Sequence, residues 1–134
     1  MIEFEFIEVP EINLDYIQEW FIKVVENEGK TLSNITVVLG SDDWLLEQNK
    51  SFLKHDYYTD IITFDYCEMD FISGDLLISI DRVNDNAKTY NVSRETELNR
   101  VLVHGLLHLC GYGDKTEKEI EIMRKKEDYY LTLL

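Results

Sequence analysis

The feature that most constrains this chain is an apolar helix that contains two histidines. Ser93 is a good N-cap for a helix that runs to Cys110, and from Val101 onward this segment is almost wholly apolar. A helix that is apolar on nearly all sides packs in the centre of a domain, where an imidazole without a partner costs on the order of a few kcal/mol. His104 and His108 both lie in this stretch, so the fold has to provide a partner for each.

The spacing of the two histidines predicts a metal site. Residues four apart lie one above the other on the same face of a helix, so the ring nitrogens of His104 and His108 can converge on one ion. The glycines of the turn at 111–113 allow the chain to fold back, which brings the Asp114 carboxylate to the same point. Three protein ligands leave one position of a tetrahedral zinc ion open to water or substrate. We therefore predict a catalytic site, with hydrolysis as its use.

A purely structural explanation of the same residues is the alternative. Two histidines on a buried helix can each be satisfied by a backbone carbonyl or a carboxylate, and Asp114 can cap the next helix. Thr116 is the better cap, however, because Glu119 three residues later completes a capping-box pattern. That pattern leaves Asp114 free for another role, and we favour the metal site.

Length and charge narrow the class of protein. At 134 residues and 45% hydrophobic content, the chain has the size of one packed domain that covers 1–134. The formal net charge of -14 repels phosphate backbones on average, which argues against a general nucleic-acid coat and against DNA as a partner. Two cysteines are too few for a disulfide framework and fit a reducing, cytosolic compartment. The N-terminus is unlike a cationic leader and no apolar stretch could cross a bilayer, so we expect a soluble protein.

Hydrophobic periodicity predicts alternating strands and helices. The spacing of apolar residues changes several times between the period of a strand and that of a helix. Pro10, glycines and capping residues separate the segments. The predicted strands are 1–8, 35–39, 61–64 and 76–80, and the predicted helices are 14–26, 42–53, 81–91, 94–110 and a final helix that begins after Thr116.

The residues around the histidines resemble a known family. Residues 104–114 read His-Gly-Leu-Leu-His-Leu-Cys-Gly-Tyr-Gly-Asp, which is similar to the signature of the YbeY proteins, bacterial metal-dependent endoribonucleases of ribosomal RNA maturation. Other blocks of that family are matched in the same order by Asn49, Asp56, 59–64 and 74–79. The resemblance therefore covers nearly the whole chain.

The resemblance implies a fold, an activity and a set of partners. The implied fold is α+β and zincin-like, with a mixed sheet of about four strands packed with helices around the central histidine helix. The implied activity is that of a cytoplasmic enzyme that cleaves single-stranded RNA, with ribosomal RNA and ribosomal subunits as partners. The implied metal is Zn²⁺ on the residues that the spacing predicts, His104, His108 and Asp114.

Three positions depart from the family pattern or from that of the zinc peptidases. The third metal position is commonly histidine in the family, whereas here it is Asp114, a harder ligand that also suits Mn²⁺ or Fe²⁺. Leu53 stands where the family often has an arginine, so Lys54 or His55 would have to meet a phosphate in its place. Gly105 replaces the glutamate that is the general base of zincin peptidases, which disfavours peptide hydrolysis.

The sequence assigns no catalytic base. Glu97 lies about two helical turns before His104 on a similar face, but an acidic residue in the first turn of a helix is expected to be solvated, so we leave it outside the catalytic set. Two other functions stay open. One is a ribosome-associated assembly or binding factor whose metal is chiefly structural, and the other is a metal-dependent hydrolase of another substrate.

Overall fold

Nine regular elements make up the chain, and the computed structural model describes all 134 residues. The strands are β1 (Ile2–Phe6), β2 (Thr31–Gly40), β3 (Ile61–Asp65) and β4 (Phe71–Ser79). The helices are α1 (Ile17–Asn27), α2 (Asp42–Leu53), α3 (Ile80–Tyr90), α4 (Arg94–Leu109) and α5 (Glu117–Leu131). No helix combines the length and the apolar character that crossing a bilayer requires.

The four strands form one mixed sheet in the order β1-β2-β4-β3. β1 and β4 both pair with β2 in the parallel sense, whereas β3 pairs with β4 in the antiparallel sense and forms an edge of the sheet. Parallel strands need crossover connections, and the segments that contain α1 and α2 supply them. The predicted α+β fold with a mixed sheet of four strands is confirmed.

Two strands begin earlier than predicted, because β2 starts at Thr31 and not at Ile35, and β4 also starts before its predicted position. The sequence predicts Gly74 and Asp75 just before a strand that ends at Ile80, but β4 begins at Phe71, includes both residues and ends one residue earlier. The chain turns at Met69, where φ is 53°, and enters the sheet directly after it. Pairing with β2 on one side and with β3 on the other keeps the glycine extended, because tertiary pairing outweighs its low strand propensity.

The histidine helix α4 is central, as predicted. It packs against β3 and β4 on one side and against α3 and α5 on the other, and most of its side chains are buried. Ser93 caps it by accepting a hydrogen bond of 3.1 Å from the backbone N–H of Thr96. A Cβ atom at Gly105 would lie 2.7 Å from Ile61 Cδ1 and 2.9 Å from Leu76 Cδ2. The helix therefore crosses the sheet so closely that the residue after the first histidine has no space for a glutamate.

We predict that Gly105→Val destabilises the protein by about 2 to 3 kcal/mol, because the added side chain overpacks the contact between α4 and the sheet. Urea unfolding monitored by circular dichroism measures the difference. Arg94→Val, at an exposed position of the same helix, is the control and should change the free energy of unfolding by no more than about 0.5 kcal/mol. An equal effect of the two substitutions would show that the close approach at Gly105 is unimportant.

Candidate metal centre

Three side-chain donors converge on one point at the end of α4. The Nε2 atoms of His104 and His108 lie 3.0 Å apart, and Asp114 Oδ2 lies 3.2 Å from each of them. Ligand atoms placed 2.0 to 2.1 Å from a tetrahedral zinc ion are separated by about 3.3 Å, so these donors already have nearly the spacing of a metal site. The three residues that the sequence singles out are thus brought together, and two imidazoles with one carboxylate fit a divalent metal.

Hydrogen bonds on the far sides of the rings fix where the imidazole hydrogens lie. His104 Nδ1 donates to Glu127 Oε2 at 2.7 Å, and His108 Nδ1 donates to the backbone oxygen of Tyr112 at 2.8 Å. In its neutral form each imidazole carries its one hydrogen on Nδ1, so both Nε2 atoms then point lone pairs at each other and at Asp114. Three acceptors that face one another at this distance repel unless a proton or a metal cation lies between them, and a divalent ion can bind all three at once.

The turn after α4 aims Asp114 at the histidines. Gly111 has a φ of 106°, which L side chains rarely adopt, and its N–H bonds to the His108 carbonyl at 3.0 Å. The predicted capping box is confirmed, because Thr116 and Glu119 bond reciprocally at the start of α5. Asp114 is therefore not needed as a cap, and 41% of its side chain remains exposed beside the two rings.

Glu127 is a functional residue that the sequence analysis missed. It lies on α5 with 5% of its side chain exposed, and it accepts hydrogen bonds from His104 and, at 3.0 Å, from Arg100 Nη1. Burial lowers the pKa of His104, but the hydrogen bond and negative charge of Glu127 outweigh burial and raise it above 6.5. A carboxylate behind a ligating histidine orients the ring and increases its basicity. The sequence does contain one indication that Glu127 is buried. It lies on the same face of α5 as Met123 and Tyr130, which are both buried.

A second buried carboxylate supports the other histidine through Tyr112. The Tyr112 hydroxyl donates to Glu28 Oε1 at 2.6 Å, while Lys126 Nζ at 3.2 Å and the Tyr130 hydroxyl donate to Glu28 Oε2. Only 8% of the Glu28 side chain is exposed. The network joins the end of α1 and the middle of α5 to the residue whose carbonyl orients His108. It therefore holds the turn in the conformation that the donor triangle needs.

The charge state of Glu28 predicts how stability depends on pH. Burial raises the pKa of Glu28, but the hydrogen bonds from Tyr112, Tyr130 and Lys126 outweigh it, so the net pKa lies below 4.5. Because the folded-state pKa is the lower one, this carboxylate stabilises the fold fully above about pH 4.5, and the contribution is lost as the pH falls through the folded-state pKa. We predict a steeper loss of stability on acidification in the wild type than in Glu28→Gln.

Urea unfolding at a series of pH values from neutral to about pH 3 checks this prediction. Glu26→Gln, on the exposed face of the same helix, is the control and should follow the wild-type curve. Parallel curves for the wild type and Glu28→Gln would mean that the network does not stabilise the ionised form.

The donor triangle lies between two clefts. The β3 cleft, about 450 Å³, is bounded by Leu53, His55, Tyr57 and strand β3, and all three donors line it. The α5 cleft, about 270 Å³, lies between α3, α4 and α5 and is reached from the same donors by way of His104 and Asp114. A ligand in either cleft would therefore contact the metal position.

The substitutes predicted for the missing arginine are separated by the structure. Leu53 and His55 lie in the wall of the β3 cleft, whereas Lys54 ends α2 with a φ of 56° and is not part of that wall. His55 Nδ1 lies 3.0 Å from the Tyr57 hydroxyl, and the two rings stack at a centroid distance of 5.1 Å. Of the two predicted substitutes, His55 therefore faces the cleft and Lys54 does not.

The prediction that Glu97 is exposed to solvent is wrong. It is predicted to be solvated, but it is 3% exposed and lines the α5 cleft together with His104. Burial raises the pKa of Glu97, and the positive charge of Arg100 opposes that shift. The prediction failed because α3 and α5 cover the first turns of α4, a packing that local sequence does not reveal.

Asp60, just before β3, is a further carboxylate beside the donors. It lines both clefts, and Asn86 Nδ2 donates to its Oδ2 at 3.5 Å. Burial raises the pKa of Asp60, and the neighbouring charge of His104 lowers it in part. Its place between the clefts makes it a candidate for contact with a substrate.

An α+β protein in which two imidazoles of the central helix and a carboxylate of the following turn meet at one open point has the architecture of a metal-dependent hydrolase. Comparison with known proteins refines this class. The family model described as Endoribonuclease YbeY matches residues 3–134. The chain therefore belongs to the YbeY family.

Individual relatives agree with that assignment. The chain is 45% identical over 129 residues to the Endoribonuclease YbeY of Bacteroides thetaiotaomicron, covering 96% of this chain and 94% of the relative. It is 51% identical over 118 residues to that of Cytophaga hutchinsonii, covering 87% of this chain and 82% of the relative. A solution structure of a Thermotoga maritima protein is similar with a TM-score of 0.72 and 30% identity, over 97% of this chain and 86% of that one.

Proposed function

We propose that this chain is a single-domain, metal-dependent endoribonuclease that holds one Zn²⁺ between His104, His108 and Asp114. Its proposed substrate is single-stranded ribosomal RNA on ribosomal subunits, in the cytoplasm, during ribosome maturation. Membership of the YbeY family and relatives named endoribonucleases support the reaction and an RNA substrate. The observation that supports the metal site is the convergence of the His104 Nε2, His108 Nε2 and Asp114 Oδ2 atoms within 3.2 Å of one another, while both Nδ1 atoms bond to other groups.

In the proposed reaction, the protein holds the metal ion and orients the two imidazole rings that bind it. A divalent ion at this point would supply Lewis acidity to a phosphodiester and make water a better nucleophile at neutral pH. Glu127 and the Tyr112 carbonyl keep the two Nδ1 hydrogens in place, so each histidine offers its Nε2 lone pair. Asp114 adds a negative charge and a hard oxygen ligand, so Mn²⁺ or Fe²⁺ competes with Zn²⁺ for the site.

The acidic chain has to attract RNA locally. Its net charge of -14 opposes binding at long range, and Leu53 brings no charge to the β3 cleft. The exposed Tyr57 ring, stacked on His55, offers an aromatic surface of the kind on which unpaired bases stack. Single-stranded RNA fits this arrangement better than a duplex, whose bases are already stacked.

Chelation tests the proposed function. Protein loaded with Zn²⁺ or Mn²⁺ should cleave single-stranded ribosomal RNA fragments, lose the activity on treatment with a chelator and regain it when metal is added back. Undiminished cleavage by chelated protein would contradict the proposal. If chelation lowered the melting temperature by many degrees but left RNA processing in cells unchanged, the assembly-factor alternative would be favoured instead.

Peptide hydrolysis has little support from the structure. The position of the zincin glutamate is occupied by Gly105, and the side chains of Ile61 and Leu76 fill the space around it. The family assignment points to RNA as well.

A further inference from the structure

The α5 cleft holds a buried carboxylate that the proposed metal site does not use. Glu97 is 3% exposed and lines the cleft, and no hydrogen bond or ion pair joins its carboxylate to another group of the protein. The Glu97 oxygens are not among the fully buried unpaired atoms of the protein, so the carboxylate is reached from the cleft and has no protein donor there. Such a group is poised to accept hydrogen bonds from a molecule in the cleft.

The other walls of the cleft fit the flat faces of an aromatic ligand. Val101 of α4 and Met123 of α5 are buried apolar residues of the lining, and the exposed Tyr90 at the end of α3 also lines the cleft. Unpaired RNA bases are commonly held between apolar or aromatic side chains while polar groups contact their edges. A volume of about 270 Å³ can hold one nucleobase.

The charges around the cleft suit a nucleotide whose phosphate is at the metal position. Asp60, Glu97, Glu127 and Asp114 bring negative charge, while Arg100 and Arg124 bring positive charge. Arg100 is bound to Glu127 and Asp128, whereas Arg124 forms no ion pair. Because Arg124 lines the same cleft as His104 and Asp114, its free guanidinium can bind a phosphate oxygen of a nucleotide held there.

The distance from Glu97 to the donors matches the reach of one nucleotide. Glu97 precedes His104 by seven residues on the same helix, which places the two Cα atoms about 10 Å apart along the axis. A nucleotide spans a similar length from its phosphate to the Watson–Crick edge of its base. A phosphate at the donor triangle therefore allows its base to reach Glu97.

We propose that the α5 cleft is a base-recognition pocket in which Glu97 accepts hydrogen bonds from the Watson–Crick edge of a guanine next to the cleaved phosphodiester. Guanine is the RNA base that presents two adjacent donors, N1–H and the N2 amino group, and an ionised carboxylate accepts both in parallel. Adenine and cytosine place an acceptor beside their donor, which a carboxylate repels. This inference rests on the proposed endoribonuclease activity and adds a sequence preference to it.

Cleavage of a random-sequence, single-stranded RNA pool, with both ends of each product sequenced, tests the pocket. The wild type should show guanine enriched at one nucleotide beside the cut, and Glu97→Gln should reduce that preference by at least about tenfold. Glu95→Gln, on the exposed side of the same first turn, is the matched control and should keep the preference. Cleavage without base preference in the wild type, or an unchanged preference in Glu97→Gln, would overturn the inference.

Nucleotide binding separates this inference from the proposed function. Guanosine monophosphate should bind the metal-loaded wild type at least about tenfold more tightly than the other three nucleoside monophosphates, and Glu97→Gln should remove the difference. If the protein cleaved no RNA but showed this selectivity, the endoribonuclease proposal would fail and the pocket would stand. Equal binding of all four nucleotides, or a second metal equivalent that disappears in Glu97→Gln, would overturn the pocket.

Discussion

Replacing His108 with alanine is expected to lower the rate of RNA cleavage by about 10³-fold or more while the protein stays folded. Losing one of three ligands removes the bound ion, whose stabilisation of transition-state charge is worth several kcal/mol, or roughly a factor of ten for each 1.4 kcal/mol. The His108 side chain is 26% exposed at the end of α4, so truncating it leaves no large cavity. Cleavage rates with saturating metal, together with circular dichroism, measure both parts of the prediction.

His55→Ala is the matched control for the loss of an imidazole. It makes the same chemical change in the wall of the β3 cleft, away from the donor triangle, and should leave the metal content unchanged. Wild-type cleavage by a folded His108→Ala protein would show that the donor triangle is not the catalytic centre.

Glu127→Gln should weaken metal binding by about 10- to 100-fold, the usual effect of removing the group behind a ligating histidine. The substitution keeps the shape of the side chain but removes the charge that faces His104 and Arg100. Because it breaks a buried ion pair, we also expect a loss of stability of about 3 kcal/mol. Zinc competition with a chromophoric chelator and urea unfolding are the two measurements.

Asp128→Asn provides the comparison for Glu127. Asp128 binds Arg100 at 2.9 Å but is exposed and has no contact with a histidine. The substitution should leave zinc affinity unchanged and alter stability by no more than about 1 kcal/mol. If both variants lost zinc affinity equally, the zinc affinity would depend on the ion pairs of Arg100 and not on the hydrogen bond between Glu127 and His104.

Local sequence predicted the donor triangle because its parts are close together in the chain. His104 and His108 lie on one helix, which the N-cap residue and the apolar pattern predict. Gly111 predicts the point at which the chain turns back. Thr116 and Glu119 formed the capping box that leaves Asp114 free. These features depend on helix geometry alone, so no knowledge of the tertiary fold was needed.

The supporting carboxylates could not be predicted in the same way. Glu127 meets His104 from a different helix, and Glu28 meets Tyr112 across more than half of the chain. Glu97 lies in the first turn of α4, where acidic residues are usually exposed to solvent. It is buried only because other helices cover it. Which acidic residue lies beneath another element depends on packing, and the spacing of charges along the sequence does not encode it.

Metal analysis by mass spectrometry tests the central claim most directly. Protein purified without chelator and without a metal affinity column should contain about one equivalent of zinc, manganese or iron per chain. The double variant His104→Ala/His108→Ala, purified in the same way, should contain none. A wild-type protein without bound metal, or a double variant that retains a full equivalent, would contradict the account.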